Sequence, residues 1–441
     1  MLNAERILLL ISSTLFLSYL SGIIYNRTRI PDLVWLLLFG IVLGPILNLF
    51  NAQIFINIFD LMILVTVALF AFSTGLSFNI QQILENSTRA FSMALGSFLA
   101  VSLSVGLVLN YLLPSSFSLV PGILLGAMLG GIDGVSISSL VNSLGKESKR
   151  LGEAGPFLQL ESTLSDPIKV VGVLTLIKMV LLTNVGPRTA ARDILFTLIV
   201  SVLIGVSSGI IWGEVITRLR DRPLNYMMTI AALFPIYLLA DYLSDGGGGP
   251  IAVFLFGAVL MNYGYVTKRL GMNRRARIDR RLIREYHDEI TFLIKAMFFV
   301  YLGLLVQFNL DFIAISLLIT VLIVAVRYIV ASLLGYVQGI PAGQVAYTRL
   351  FFIQGAGSLV LTQFVAKYDP TGFQLANPTA FTSIVIPVVI LSIVFSSIIA
   401  PMVASKQVEV KPPETPVEPE KEQAKPEKVE NKNSKKDEKK S

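Results

Sequence analysis

Leu160-Glu161-Ser162-Thr163-Leu164-Ser165-Asp166-Pro167-Ile168-Lys169 places two carboxylates, two serine hydroxyls, a proline and a lysine inside an otherwise apolar run. A charge at membrane depth costs several kcal/mol unless it is paired or solvated, so a chain that keeps one there generally uses it. Outside this run the chain is just as apolar. Of its 441 residues, 54% are hydrophobic and only 15% are charged, with a mean hydropathy of +0.71. A soluble chain carries about 25% charged residues. Stretches of about 20 apolar residues, the length that crosses a hydrocarbon core, recur along most of the sequence. The fold class that follows is an all-α polytopic membrane protein.

Thirteen spans are predicted, at 4–25, 31–50, 54–76, 88–113, 118–144, 155–183, 193–217, 223–243, 249–264, 288–307, 311–337, 342–366 and 378–404. Loops after odd-numbered spans hold Arg27 and Arg29, Arg89, then Lys146, Lys149 and Arg150, then Arg218, Arg220 and Arg222, and a cluster from Lys268 to Arg284. Loops after even-numbered spans offer little beyond Arg188, Arg192 and Lys367. Positive charge stays on the cytoplasmic side, which predicts an amino terminus outside and a cytoplasmic tail in the cell membrane. Residues 1–25 have no small-residue cleavage site and read as a retained first span. Residues 405–441, with ten lysines and nine acids, have too little apolar bulk to order and are expected to be a disordered tail. Cysteine is absent, which removes disulfides, thiolate nucleophiles and cysteine-based metal sites. No basic patch interleaved with aromatics suggests nucleic acid.

The sequence repeats itself. Leu38-Phe39-Gly40-Ile41-Val42-Leu43 in the second span parallels Leu255-Phe256-Gly257-Ala258-Val259-Leu260 in the ninth. Phe72-Ser73-Thr74-Gly75-Leu76 in the third parallels Val300-Tyr301-Leu302-Gly303-Leu304 in the tenth. An offset of seven spans is odd, so the copies cross in opposite directions. Inverted repeats, here spans 1–6 and 8–13, mark secondary transporters whose substrate site lies near midplane between discontinuous helices. Chance likeness of two apolar runs is the plainer alternative. Spans 5 and 12 correspond and are both interrupted by glycine, at Gly126, Gly130, Gly131 and Gly134 and at Gly355 and Gly357. Close helix packing also uses glycine, but Asp133 inside the first interruption favours a site. Broken helices are tolerated at membrane depth only where they face protein or a water-filled cavity.

Ser162 and Asp166 are four residues apart and share a helix face, with Lys169 further along; Glu161 and Ser165 form an adjacent stripe about 100° round. Pro167 has no amide hydrogen, so the Thr163 carbonyl loses its helical partner. A hydroxyl, a carboxylate and a free carbonyl suit a small hard cation. At depth Asp166 is neutralised either by a proton or by a cation, and that competition is the chemistry of an antiporter. The plainer alternative is a structural Asp166–Lys169 ion pair. Arg327 has no local acid, and Glu161 is the available carboxylate, so a structural Glu161–Arg327 pair is expected. Lys295 and Arg349 are expected to snorkel to the interface. His287, the single histidine, reads as incidental at the interface, although it could sense pH.

These residues resemble the monovalent cation/proton antiporter superfamily, in its NhaP-like and sodium/proton exchanger branch. That branch carries Glu-Ser-x-x-Asn-Asp-Pro on helix six, where this chain has Glu161-Ser162-Thr163-Leu164-Ser165-Asp166-Pro167. Its Thr-Asp-Pro of helix five corresponds to Ile132-Asp133-Gly134, and Ala240-Asp241-Tyr242-Leu243 through Gly248 and Pro250 is also similar. The resemblance covers 1–404 and implies an NhaA/NhaP-like antiporter fold. It implies ion-binding positions at Asp166, Ser162, Asp133, Ile132 and Thr163, with Na⁺ held by Asp166, Ser162 and Asp133. It implies a homodimer in which a core (88–183 and 311–404) moves like an elevator against a dimerisation part (spans 1–3 and 7–10). Three departures stand out. Ser165 replaces the asparagine before the key aspartate, the family's second arginine–acid pair falls at about Ala356 and Ser73, and Lys169 occupies a usually apolar place.

The expected activity is exchange of Na⁺ or Li⁺ for H⁺ by alternating access, electroneutral because one carboxylate exchanges charge. K⁺/H⁺ exchange, and electrogenic exchange using Lys169, stay open; Ser165 and Lys169 are the possible modulators. A channel-like protein or a transport-dead sensor is the reading from another class. Enzymatic activity is not expected, since Ser162 has no base beyond the carboxylates. No cofactor is implied; the expected partners are monovalent cations, protons, the lipid bilayer and a second copy of the chain.

Overall fold

The structure is a computed structural model that describes residues 4–28, 30–50, 59–78, 80–134, 136–137, 154–181, 187–219, 225–271, 280–306, 309–369, 372 and 378–406. The tail beyond Lys406, the loop charges Arg29, Lys146, Lys149, Arg150, Arg220 and Arg222, and residues 272–279 of the basic cluster lie outside the described residues.

Fifteen α-helices are described: α1 (Ala4–Thr28), α2 (Asp32–Ile41), α3 (Phe59–Ser77), α4 (Ile80–Leu112), α5 (Leu119–Met128), α6 (Ala154–Leu181), α7 (Pro187–Arg218), α8 (Asn225–Leu243), α9 (Gly249–Met261), α10 (Tyr263–Arg269), α11 (Arg280–Leu304), α12 (Leu310–Val337), α13 (Ala342–Leu350), α14 (Ala356–Tyr368) and α15 (Pro378–Lys406). Each of the thirteen expected spans contains helix. By length and composition alone, α1, α4, α7, α12 and α15 could each cross a membrane, and the α9–α10 pair makes a sixth candidate.

Local chemistry explains the ends and breaks. Asp32 accepts from the Leu33 amide (2.9 Å) at the start of α2. Pro45, inside the segment that follows, cannot donate to the ladder, and Val42–Ile46 widens to a π-helical turn. Asn309 caps α12 by accepting from the Asp311 amide. Pro250 sits in the first turn of α9, where its missing N–H would be unsatisfied anyway. The ninth span is not straight. It bends by 87° between α9 and α10, where Asn262 takes its side chain to the Phe78 carbonyl (2.6 Å) and the Ile80 amide (3.0 Å). Helices α4 and α11 also start earlier than the expected spans 4 and 10, because polar first turns continue the helix outside the apolar window.

The helices pack mainly within two groups. One joins α4, α5, α6, α12, α13, α14 and α15; the other joins α1, α2, α3, α7, α8, α9, α10 and α11. In the second group the repeat is visible as geometry. A Cβ on Gly40 would fall on the Val300 carbonyl oxygen and within 2.8 Å of the Gly303 Cα, so α2 lies directly on α11. A Cβ on Gly75 would fall on the Phe254 carbonyl oxygen and within 3.1 Å of the Gly257 Cα, so α3 lies directly on α9. Exchanging each repeat segment for its counterpart turns the first contact into the second. Small residues that let backbones touch are how helices associate where lipid is as apolar as the side chains.

Candidate functional site

The site is built where two interrupted helices cross. α5 stops at Met128, the Leu129 and Gly130 amides close tight turns onto the Gly126 and Ala127 carbonyls, and a helical bond resumes from the Ile137 amide to the Asp133 carbonyl. Gly131 has φ +132°, and a Cβ there would meet Ser165 Cβ at 3.0 Å, so glycine is required both by conformation and by the contact with α6. On the other side α13 ends at Leu350 and α14 begins at Ala356, with 351–355 non-helical between them. The two strands of backbone meet: the Asp133 amide donates to the Ile353 carbonyl (2.9 Å). Gly355 passes over the Asp133 carboxylate so closely that a Cβ would lie 2.7 Å from Oδ1.

Asp133 is 1% exposed. Its Oδ2 accepts from the Ser136 amide (2.8 Å), capping the resumed helix, and its Oδ1 has no hydrogen-bond partner. Across the crossing, Asp166 on α6 accepts from the Gly134 amide and lies 3.0 Å from the Lys169 ammonium. That pair is a close charge contact without hydrogen-bond alignment, and Lys169 itself is 1% exposed. Ser162 and Thr163 both donate to the Gln159 carbonyl (2.8 Å each), which leaves their oxygens free to accept. A Cβ on Gly134 would stand 3.5 Å from Ser162 Oγ and 3.7 Å from Asp166 Oδ2, so the three groups share one small space. Ser165 faces Gly131 and donates back to the Glu161 carbonyl (3.0 Å). Ile132 is buried in the crossing.

Glu161 points away from this space and meets Arg327 through both carboxylate oxygens: Nη2 donates to Oε2 at 2.8 Å and Nη1 to Oε1. Arg327 also donates to the Thr348 carbonyl (2.8 Å) and Ser97 Oγ (2.7 Å), so one guanidinium links α4, α6, α12 and α13.

A cavity of about 970 Å³ runs from Asp32, Arg89, Arg284 and Asp288 inward to Asp133, Ser162, Thr163 and Asp166. Ser73 and Ala356, the positions of the family's second arginine–acid pair, both line it. Two sequence expectations change here, those for Lys295 and His287. Lys295 lines the cavity instead of only snorkelling to an interface, because its face of α11 turns toward Asp288 and Asp133. Arg349 stacks over the Tyr328 ring, 5.0 Å from its centroid, in a half-buried position. His287 is 1% exposed, packed edge-on to Phe72 with Thr291 Oγ1 3.1 Å from Nε2, and is no interfacial side chain.

Sequence reasoning passed over Gln354, whose side-chain amide donates to the carbonyls of Leu129 (2.9 Å) and Gly131 (2.6 Å). The available signal was an amide in an apolar run directly before Gly355. It also passed over the face opposite the cavity mouth. There Lys367 on α14 lies 3.4 Å from Asp241 on α8 and over the rings of Tyr237 and Tyr368. Lys178 on α6 donates to Thr197 Oγ1 (2.6 Å) and the Ser244 carbonyl (3.0 Å). Asp241 also accepts from the Gly247 amide (2.7 Å), fixing the glycine-rich turn before α9.

Two carboxylates at a helix crossing, reached by a polar cavity in an apolar bundle, are matched by a family model described as sodium/hydrogen exchanger, transmembrane, over residues 12–405. The chain belongs to this family. Among other members of the exchanger family, it is 26% identical over 307 residues to the Na⁺/H⁺ antiporter ApNhaP of Aphanothece halophytica, covering 68% of this chain and 54% of that one. It is 27% identical over 311 residues to the low-affinity Na⁺/H⁺ antiporter NhaS1 of Synechocystis sp., with the same shares. The chain thus spans about half the length of these two relatives. A K⁺/H⁺ antiporter, NhaP2 of Shewanella oneidensis, is 30% identical over 147 residues, covering 32% of this chain and 24% of that one. The sodium proton antiporter MjNhaP1 of Methanocaldococcus jannaschii superposes with a TM-score of 0.74 over 92% of this chain and 99% of that one, at 19% identity, which shows a common fold. This exchanger-family chain is therefore an integral membrane protein with an antiporter fold.

Proposed function

We propose that the chain exchanges Na⁺ or Li⁺ for H⁺ by alternating access, with cation and proton competing for Asp166. The observation that carries this reading is that Asp166 and Asp133, whose Oδ1 has no hydrogen-bond partner, line one cavity together. Among the described residues no three His, Cys, Asp or Glu side chains converge as a resident-metal site would need. Two carboxylates, Ser162 Oγ and the Thr163 carbonyl freed by Pro167, beside Ile132, make an oxygen-only donor set suited to a loosely held monovalent cargo. Relatives named as Na⁺/H⁺ antiporters support the sodium assignment, and the K⁺/H⁺ antiporters among them keep potassium as the second substrate.

Exchange on Asp166 alone moves one proton per cation and is electroneutral. The Lys169 contact supports the electrogenic alternative, in which more than one proton moves per cation and the ammonium neutralises Asp166 while the site is empty. Reconstituted protein should show proton flux driven by Na⁺ or Li⁺ gradients, and Asp166→Asn should abolish it; flux retained by that variant overturns Asp166 as the carrier. Clamping the membrane potential with valinomycin and K⁺ should leave an electroneutral rate unchanged and alter an electrogenic one. Current without counter-flux would favour a channel.

The same reading gives α4–α6 and α12–α15 the role of moving core and the other group that of the fixed part of a homodimer. It puts the cavity on the cytoplasmic side, with the amino terminus outside and the charged tail inside. Arg89 and Arg284 at the cavity mouth, and Lys268 and Arg269 at the end of α10, agree with that orientation.

A further inference from the structure

The exchange chemistry uses carboxylates and leaves the fully buried amide of Gln354 without a role. Gln354 lies at the middle of the non-helical stretch between α13 and α14 and is 0% exposed. Its Nε2 donates to the Leu129 and Gly131 carbonyls (2.9 and 2.6 Å), its Oε1 accepts from Ser358 Oγ (3.0 Å), and its own backbone N–H donates to Ser392 Oγ (3.0 Å). Both carbonyls belong to the backbone just past the end of α5, where no following helical turn supplies a donor and another part of the protein must.

The neighbours of Gln354 make the remaining contacts of the crossing. Ile353 accepts from the Asp133 amide (2.9 Å), and Gly355 leaves just enough space for the Asp133 carboxylate. Three consecutive residues thus hold one short segment, with Gln354 as the side chain that spans it.

We infer that Gln354 is a positioning residue of the ion site: it sets the register of the two interrupted helices and through that register holds the Asp133 carboxylate opposite Asp166. An amide is suited to this because it supplies two donors without adding a charge beside the carboxylates. The role does not require Gln354 to touch the cation.

This inference rests on the exchange reading above, and the test separates the two. Proton flux would be measured in proteoliposomes against a titration of Na⁺, with rates normalised to folded transporter. Gln354→Met keeps the bulk and removes both donors. It should raise the half-saturating Na⁺ concentration tenfold or more, as loss of a group that orients metal ligands does, with the maximal rate changed less. Ser358→Ala frees only the Oε1 anchor and should raise it by about threefold, the worth of one neutral hydrogen bond. If Gln354→Met does not fold, Ser358→Ala decides the question. An unchanged half-saturation in a folded Gln354→Met, or in Ser358→Ala when that variant must decide, overturns the positioning role. Absence of cation-driven flux in the unaltered protein overturns the exchange reading itself.

Discussion

Glu161 and Asp166 are five residues apart on one helix and differ in what each one meets. Glu161 is 0% exposed and its partner Arg327 is 2% exposed, with both carboxylate oxygens engaged. Such a pair adds little net stability over an apolar pair, but removing one member strands the other. Glu161→Gln should therefore lower unfolding stability by about 3–5 kcal/mol, read by SDS titration, and Glu161→Leu combined with Arg327→Met should recover most of it. A loss below about 1 kcal/mol in the single variant would show that Arg327 finds solvent. The meeting of these two side chains was legible in the sequence, because an arginine at membrane depth with no acid near it along the chain must look for one elsewhere. Gln354 was not legible in the same way. A neutral amide leaves no charge to balance, and only the broken carbonyls it serves reveal its purpose.

At the level of elements, the crossing depends on glycine at Gly131 and Gly355 for different reasons. Gly131 needs its positive φ, whereas Gly355 needs the absence of a side chain against Asp133. Gly355→Ala should therefore abolish exchange while leaving a folded, monodisperse protein, since a methyl group displaces the carboxylate and not the helices. Near-normal flux in that variant would mean that Asp133 can move without consequence. Helix interruption was readable from the glycine clusters, since both breaks fall where those clusters stand. The 87° turn at Asn262 was not readable, because the apolar window simply ends there and only the reach of Asn262 to Phe78 and Ile80 shows the direction taken. Early starts of α4 and α11 escaped for a similar reason: hydropathy locates the membrane-depth part of a helix and is blind to its polar extension.

For the whole molecule, the paired contacts Gly40–Gly303 and Gly75–Gly257 are one interface seen twice. Leucine at Gly40 and leucine at Gly257 should be comparably disruptive, reducing folded yield on size exclusion to a small fraction of the unaltered protein's. A large difference between the two would mean that the repeats are no longer equivalent in packing. The likeness of short apolar motifs seven spans apart was enough to suggest this symmetry. Which helices would touch was not, since inverted copies can be placed together in several ways and backbone contact at glycine is a property of the assembled bundle.

The face opposite the cavity mouth bears on speed. Lys367 and Asp241 join helices of different groups, and their side chains are 25% and 19% exposed at 3.4 Å. Partly solvated contacts of this kind are worth about 1 kcal/mol or less, and each 1.4 kcal/mol of barrier slows a step about tenfold. The contact with the strongest hold, Glu161–Arg327, lies within one group and need never break during a cycle. On the alternating-access reading proposed above, a contact as weak as this one adds little to the barrier for parting the two groups, and the ion gradient need not be spent on forcing the door.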